Sequence, residues 1–224
     1  KTMDLNYMES VLWSFKKLYD KGLIYESLRV MPYSWACQTP LSNFETRMDN
    51  SYRERADKAV TVKFELKEVP KAIQNKFKKV YLLAWTTTPW TLPSNLALAV
   101  GDKIEYACVP VGSDECVVLA VSSLKKYINE FNLKEEEFDK YYKIKGKNLV
   151  GFEYTPLFEY FFGRENAFKV LNGEFVQEGD GTGIVHIAPG FGEDDHVLCE
   201  QYNIKLVCPV DEAGKFTNEI PDFE

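Results

Sequence analysis

Two stretches of this chain carry side chains whose types and spacing could do chemistry. The first, Trp85-Thr86-Thr87-Thr88-Pro89-Trp90-Thr91-Leu92-Pro93-Ser94-Asn95, follows an apolar run and gathers four threonines, a serine and an asparagine beside two tryptophans. Two prolines restrict its backbone. Hydroxyls grouped in this way donate and accept hydrogen bonds without bringing charge, which suits the wall of a polar pocket with indoles for stacking. They equally suit a turn whose hydroxyls satisfy their own backbone.

The second stretch runs from Gly179 to Asp195 and reads GDGTGIVHIAPGFGEDD. Its glycines, Gly183 among them, let backbone approach a ligand closely, while His186 and the acids Glu193, Asp194 and Asp195 supply titrating groups. A phosphate cradle is rejected. No G-x-G-x-x-G opens a helix, no G-x-x-x-x-G-K-[ST] occurs, and three carboxylates would repel phosphate from the helix that follows. The acids also read as plain helix N-terminal residues, and His186 as a core histidine bonded to backbone. His186 and His196 lack a third partner at metal-ligand spacing, so no metal is expected. No G-x-S-x-G or other nucleophile arrangement is present, so water is the expected attacker in any hydrolysis.

The elements that must position these residues are legible from periodicity. Met8, Val11, Leu12, Phe15, Leu18 and Tyr19 recur at helical spacing between Asp4, a candidate N-cap, and Gly22, a candidate C-cap. An extended run and a strap around residues 39–46 follow. We expect an N-terminal helix and strap over 1–45 and a β-rich unit over 46–224. Strands are expected at 60–66, 80–85, 96–100, 104–109, 117–121, 170–171, 175–176, 183–188 and 206–210. Helices are expected after Ser122, over 135–142 and over 194–202. Strands so crowded, with few helices between them, predict a mixed, β-rich α+β fold with a barrel-like, closed or nearly closed core and peripheral helices.

Composition sets the outer bounds. The 224 residues are 45% hydrophobic and 27% charged, enough for one good core. A formal charge of −7 argues against a freestanding nucleic-acid binder that works by phosphate neutralisation. No apolar run reaches transmembrane length and no signal-peptide pattern opens the chain, so no membrane partner and a cytoplasmic location are expected. The five scattered cysteines never form C-x-x-C and are expected as reduced thiols. The lack of an initial methionine and the abrupt end lead us to expect a piece of a longer protein.

Taken together, WTTTPWTLPSN and the later GTGIVHIAPGFGEDD resemble the editing (CP1) domain of isoleucyl-tRNA synthetases, with MPYSWACQTPLSNFE and CPVDEAGKFT similar to the same family, nearest its eukaryotic cytosolic branch. The valine and leucine enzymes carry a threonine segment closer to TTRP, though an editing domain of one of them stands as the alternative, as does a non-catalytic module that holds a tRNA 3′ end. The resemblance implies hydrolysis of valine misattached to tRNA(Ile). It also implies that Asp195 grips the substrate α-ammonium and that His186 lines the side-chain pocket and excludes isoleucine. Thr86, Thr87 and Thr88 would contact the terminal adenosine, the ester or the water, with Thr88 nearest the ester. Thr87, Thr88, His186 and Asp195 form the expected catalytic set. Trp85, Trp90, Asn95 and Gly183 complete the expected binding set. The implied partners are the 3′-terminal aminoacyl-adenosine of tRNA(Ile) and the remainder of the synthetase. No cofactor is implied for editing, whereas the full-length enzyme would use ATP and Mg; H-I-G-H and K-M-S-K-S, which mark that aminoacylation site, are absent here.

Overall fold

A computed structural model describes residues 1–223. The chain opens with helix α1 (Leu5–Asp20), whose apolar side is set by the 3.6-residue spacing of Met8, Val11, Leu12, Phe15 and Tyr19. Gly22 ends it in a left-handed conformation, its N–H donating to the Tyr19 carbonyl. Asp4 makes no side-chain cap. None of the residues of α1 is buried. A small hairpin, β1 (Tyr33–Ser34) and β2 (Thr39–Pro40), and a mostly exposed stretch precede the core.

Alternation of apolar and polar residues then produces β3 (Val60–Glu65), followed by β4 (Lys79–Thr86), β5 (Ala97–Val100), β6 (Glu105–Pro110) and β7 (Glu115–Ala120). After a 3-10 stretch comes the short helix α2 (Ile128–Phe131), then β8 (Tyr142–Lys145), β9 (Lys169–Asn172), β10 (Ile184–Ile187) and helix α3 (Glu193–Gln201). Five strands form one sheet in the order β3-β4-β7-β6-β8, and three form another in the order β10-β5-β9. Both sheets share one core, in which Phe64, Leu82, Leu98, Val118, Tyr154 and Ile184 are fully or almost fully buried.

The barrel-like expectation resolves into these two sheets, joined at a corner and not closed by one continuous ladder among the described residues. There the Ala120 N–H donates to the Thr182 carbonyl at 2.8 Å and the Tyr106 hydroxyl donates to the Gly183 carbonyl at 2.7 Å. Gly183 has φ +74°, and a Cβ placed on it would lie 2.5 Å from the Ala120 Cβ. Glycine is required here because the strand entering the site must cross β7 at backbone contact.

Several local expectations change. The segment after Ser122 is a 3-10 run from Val121 to Tyr127, and 135–140 is also 3-10. Ser122 caps nothing; its hydroxyl accepts the Gly179 N–H instead. Tyr142, expected as the end of a helix, instead begins edge strand β8, where buried Ile144 pairs with Tyr106. Neither 175–176 nor 206–210 forms a strand beyond the Val210–Phe216 bridge. No described helix is long and apolar enough to cross a membrane.

Replacing Gly183 with alanine adds the left-handed backbone penalty to the clash with Ala120. We expect a loss of about 2–4 kcal/mol in chemical denaturation.

Candidate functional site

The two chemically dense stretches meet. β4 delivers Trp85 and Thr86 at its end, and a 3-10 turn from Pro89 to Ser94, begun by Pro89, folds Trp90 and Thr91 back over the sheet. β10 lies antiparallel to β5 with His186 opposite Leu98, which directs the imidazole inward. Gly192 precedes α3 with extended backbone and places Asp195 in the first helical turn. Together these enclose a cleft of about 290 Å³ lined by Trp85, Thr86, Thr87, Thr88, Trp90, Thr91, Val185, His186, Ala188, Phe191, Gly192 and Asp195. Asp195 is the one charged side chain in that lining.

The threonines divide by task. The Thr86 hydroxyl accepts the Thr88 N–H at 3.0 Å and lies 3.2 Å from the Thr88 hydroxyl, while the Thr91 hydroxyl donates to the Thr88 carbonyl at 2.9 Å. The self-satisfying turn is therefore real for Thr86 and Thr91. Thr87 and Thr88 are exposed along the cleft, and the Thr87 hydroxyl has no partner among the described residues.

His186 is buried, and each ring nitrogen has a partner: Nε2 lies 2.9 Å from the Thr91 hydroxyl and Nδ1 2.8 Å from the Asn95 amide nitrogen. Burial pushes its pKa down to about 4, so the ring is neutral at physiological pH. With both nitrogens occupied, it has no lone pair free to take a proton from water in the cleft. The geometry suits a wall and not a base, and the pocket-lining role is the one the resemblance implies for it. Asn95, expected to contact substrate, does not line the cleft. It stands behind His186, donating also to the Ala97 carbonyl and accepting from Tyr154.

Asp195 lies at the cleft margin. Its Oδ2 accepts the Ala188 N–H at 2.7 Å. Burial raises its pKa to about 6 against the lowering effect of that bond, with the neighbouring Asp194 charge adding a smaller rise. Pairing with a cation would act in the opposite direction, favouring the ionised carboxylate. Beneath it, Cys199 is pushed up to about 12 by burial and by the Asp195 charge, which leaves an inert thiol.

Trp85 and Trp90 are 39% and 50% exposed, so neither is a packed core aromatic. Trp90 meets Phe191 edge to face at 5.0 Å, and together they form one lip. Trp85 stands between this cleft and a second one of about 370 Å³, which Gly183 borders with Asp180, Asp194 and the far side of Asp195. Gly183 is thus outside the first cleft, and its evident task is the corner described above. Sequence reasoning missed Thr91 and Tyr154 as site-building residues. Thr91 had a signal, since it lies three residues after Thr88 in a proline-started turn. Tyr154 had none, standing far from both stretches. Among the described residues, no three His, Cys, Asp or Glu side chains converge as metal ligands.

Comparison with known proteins places this geometry. The family model described as tRNA synthetases class I (I, L, M and V) matches residues 1–178. An isoleucine--tRNA ligase of Rickettsia felis is 61% identical over 235 aligned positions and one of Rickettsia africae 63% over 224, each alignment covering all of this chain but only 21% and 20% of the relative. The chain spans about a fifth of the length of these curated relatives. Their bacterial source overturns the expected eukaryotic affinity. Among solved structures, GlLeuRS-CP1 superposes with a TM-score of 0.52 at 21% identity, covering 66% of each chain. The Plasmodium knowlesi cytosolic leucyl-tRNA synthetase editing domain gives 0.51 at 18% identity, covering 71% of this chain and 68% of that one. The fold is therefore that of synthetase editing domains, and on the extent of the family match this chain belongs to the class I tRNA synthetases of the I, L, M and V group.

Proposed function

We propose that this chain is the post-transfer editing domain of an isoleucine-specific synthetase, hydrolysing valine from tRNA(Ile). The observation that carries the reading is the convergence of the Thr86–Thr88 strip, His186 and Asp195 on one cleft that holds a single carboxylate. Valine lacks one methylene of isoleucine, and a hydrophobic pocket values that at only about 1–3 kcal/mol, a general figure for which isoleucine-specific synthetases are the standard illustration. A second site that rejects isoleucine by bulk supplies the missing discrimination.

In this reading the Asp195 carboxylate pairs with the α-ammonium and orients the aminoacyl ester, and the valine side chain lies against the neutral edge of His186. The hydroxyls of Thr87 and Thr88 are placed to hold the ester and the attacking water. Water adds to the ester carbonyl carbon, the carbon–oxygen bond to the ribose breaks, and free valine and the ribose hydroxyl leave. Positioning and hydrogen bonds to the developing oxyanion do most of the work. Asp195 serves poorly as a general base, since pairing with a cation lowers its pKa and its proton affinity. The exposed face of Trp85 stacks on adenine in this reading. The chain needs no cofactor for this reaction. tRNA(Ile), presented by its 3′-terminal aminoacyl-adenosine, and the remainder of the synthetase are its partners, and the cytoplasm its location. ATP and Mg serve the aminoacylation site of the longer enzyme.

Three results test this reading. Asp195→Ala lowers deacylation of valyl-tRNA(Ile) by about two to three orders of magnitude while its circular dichroism stays that of the parent. Unchanged deacylation refutes the anchor, and tRNA binding without hydrolysis by the unaltered chain supports the non-catalytic module instead. His186→Ala opens the wall, so isoleucyl-tRNA(Ile) is hydrolysed; continued rejection shows that another residue sets the sieve.

The third result concerns pH. Binding of valyl-adenosine analogues weakens about tenfold per unit as pH falls below about 6, because Asp195 takes up its proton there. The same raised pKa means that the folded state binds more protons than the unfolded one between about pH 4 and 6, so the ionised carboxylate costs stability above that window. Asp195→Asn therefore stabilises the fold at pH 7 by about 1–3 kcal/mol, and the gain vanishes towards pH 4. His186, with its lowered pKa, contributes stability that is lost as pH falls from about 6.5 to about 4. The two trends oppose each other in the parent, and Asp195→Asn uncovers the histidine's. Equal unfolding free energies for parent and Asp195→Asn at pH 7 contradict this assignment.

A further inference from the structure

The hydrogen bonds behind the cleft wall run in one direction. Tyr154 is fully buried, held edge-on between Phe64 and Phe168 at ring separations of 5.3 and 6.1 Å. Its backbone N–H donates to the Phe168 carbonyl at 3.0 Å, and the residue bridges to Leu66. Its hydroxyl sits 2.5 Å from Asn95 Oδ1. Because that oxygen carries no hydrogen, Tyr154 must be the donor. The Asn95 amide is thereby oriented, and its Nδ2 confirms the choice by lying 2.9 Å from the Ala97 carbonyl, which can only accept. The other Nδ2 hydrogen is left for His186 Nδ1 at 2.8 Å. Nδ1 must then be the bare nitrogen and Nε2 the one that carries the proton. Nε2–H donates to the Thr91 hydroxyl, whose own hydrogen goes to the Thr88 carbonyl at 2.9 Å.

We propose that Tyr154 is a positioning residue for the sieve: through Asn95 it fixes the Nε2–H tautomer of His186, and through Thr91 it ties the side-chain wall to the threonine strip as one rigid unit. The proposal deepens the editing reading and rests on it for its effect on selectivity; the tautomer itself does not. Every donor in the chain meets one acceptor, so the relay is fully satisfied and has a single ground state. His186 then offers the cleft neither a free N–H nor a free lone pair, only ring carbon, and an apolar edge held at fixed depth discriminates by bulk. A mobile or flipped ring would present a nitrogen and yield space to a longer side chain. Tyr154 does not line the cleft, so it acts only through the residues it orients.

The experiment is nitrogen-15 spectroscopy of the histidine ring in this chain, paired with deacylation of valyl- and isoleucyl-tRNA(Ile). In the unaltered chain His186 shows a protonated Nε2 and a bare, hydrogen-bonded Nδ1, and it stays neutral until about pH 4. Tyr154→Phe keeps the ring packing but strands Asn95 Oδ1; the His186 signals shift or broaden into a mixture, and the valine-over-isoleucine ratio falls about tenfold, with valyl hydrolysis within about threefold of the parent. Asn95→Asp replaces the donor with an acceptor, so the proton moves to Nδ1, and this variant tests the relay even where Tyr154→Phe does not fold. An Nδ1–H tautomer in the unaltered chain overturns the proposal. So does a Tyr154→Phe variant that loses stability with unchanged ring signals and unchanged selectivity, the behaviour of a merely structural tyrosine. If neither ester is hydrolysed by the unaltered chain while the ring signals behave as described, the relay stands and the editing reading falls.

Discussion

A carboxylate partly removed from water in the first turn of α3, and compensated by a backbone N–H from Ala188, dominates the electrostatics of the threonine-lined cleft. Burial of this kind is costly unless something repays it, and the raised pKa of Asp195 is the record of that cost. A ligand bearing a positive group supplies the missing partner. Under the proposed function that group is an amino acid's ammonium, with its ester facing the threonine turn. Asp194, one residue earlier, is exposed and lies outside the first cleft, so selectivity for a cation there depends on a single side chain.

The rest of the cleft is kept neutral, and that restraint has a physical basis. A protonated histidine in the same lining would put a second charge in the cleft and compete with a cationic ligand for the carboxylate. Burial prevents this by holding His186 uncharged, and its ring nitrogens are both committed to neighbours. The hydroxyls of Thr87 and Thr88 add hydrogen-bonding capacity without charge. Under the proposed editing function, such a site fixes an ester and a water by geometry while leaving the one strong electrostatic term to the substrate's ammonium. The backbone makes it possible: the turn begun by Pro89 brings Thr91 back within reach of both Thr88 and His186, and Gly183 lets β10 enter past Ala120.

Much of this was legible in the residues themselves. The alternation of Val60, Val62 and Phe64 marks β3, the apolar run before Trp85 marks β4, and the residues that line the cleft all come from the two stretches singled out by composition. Other features lay outside the reach of local pattern. The four residues of β8 are too few for a period to declare itself, and only pairing with β6 makes them a strand. Segment 206–210 is apolar enough for a strand but finds no ladder partner beyond one bridge. Asn95 was recognised as a site residue yet misplaced, because a polar side chain beside a pocket motif looks the same in sequence whether it faces the ligand or the histidine behind it. Tyr154 joins the site through a contact 59 residues distant in the chain. The apolar side of α1, with Leu12 at 65% and Phe15 at 55% exposure, reads as core by period and finds no core to join within residues 1–223.

The most direct test of the cleft's chemistry compares two ligands that differ only at the amino group: a non-hydrolysable valyl-adenosine analogue and its counterpart in which hydrogen replaces that amine. By calorimetry at pH 7, the account predicts that the amine-bearing ligand binds the unaltered chain at least about tenfold more tightly, the worth of one partly buried charge pair. It also predicts that the preference disappears in Asp195→Asn. Equal affinity of the two ligands for the unaltered chain would contradict it.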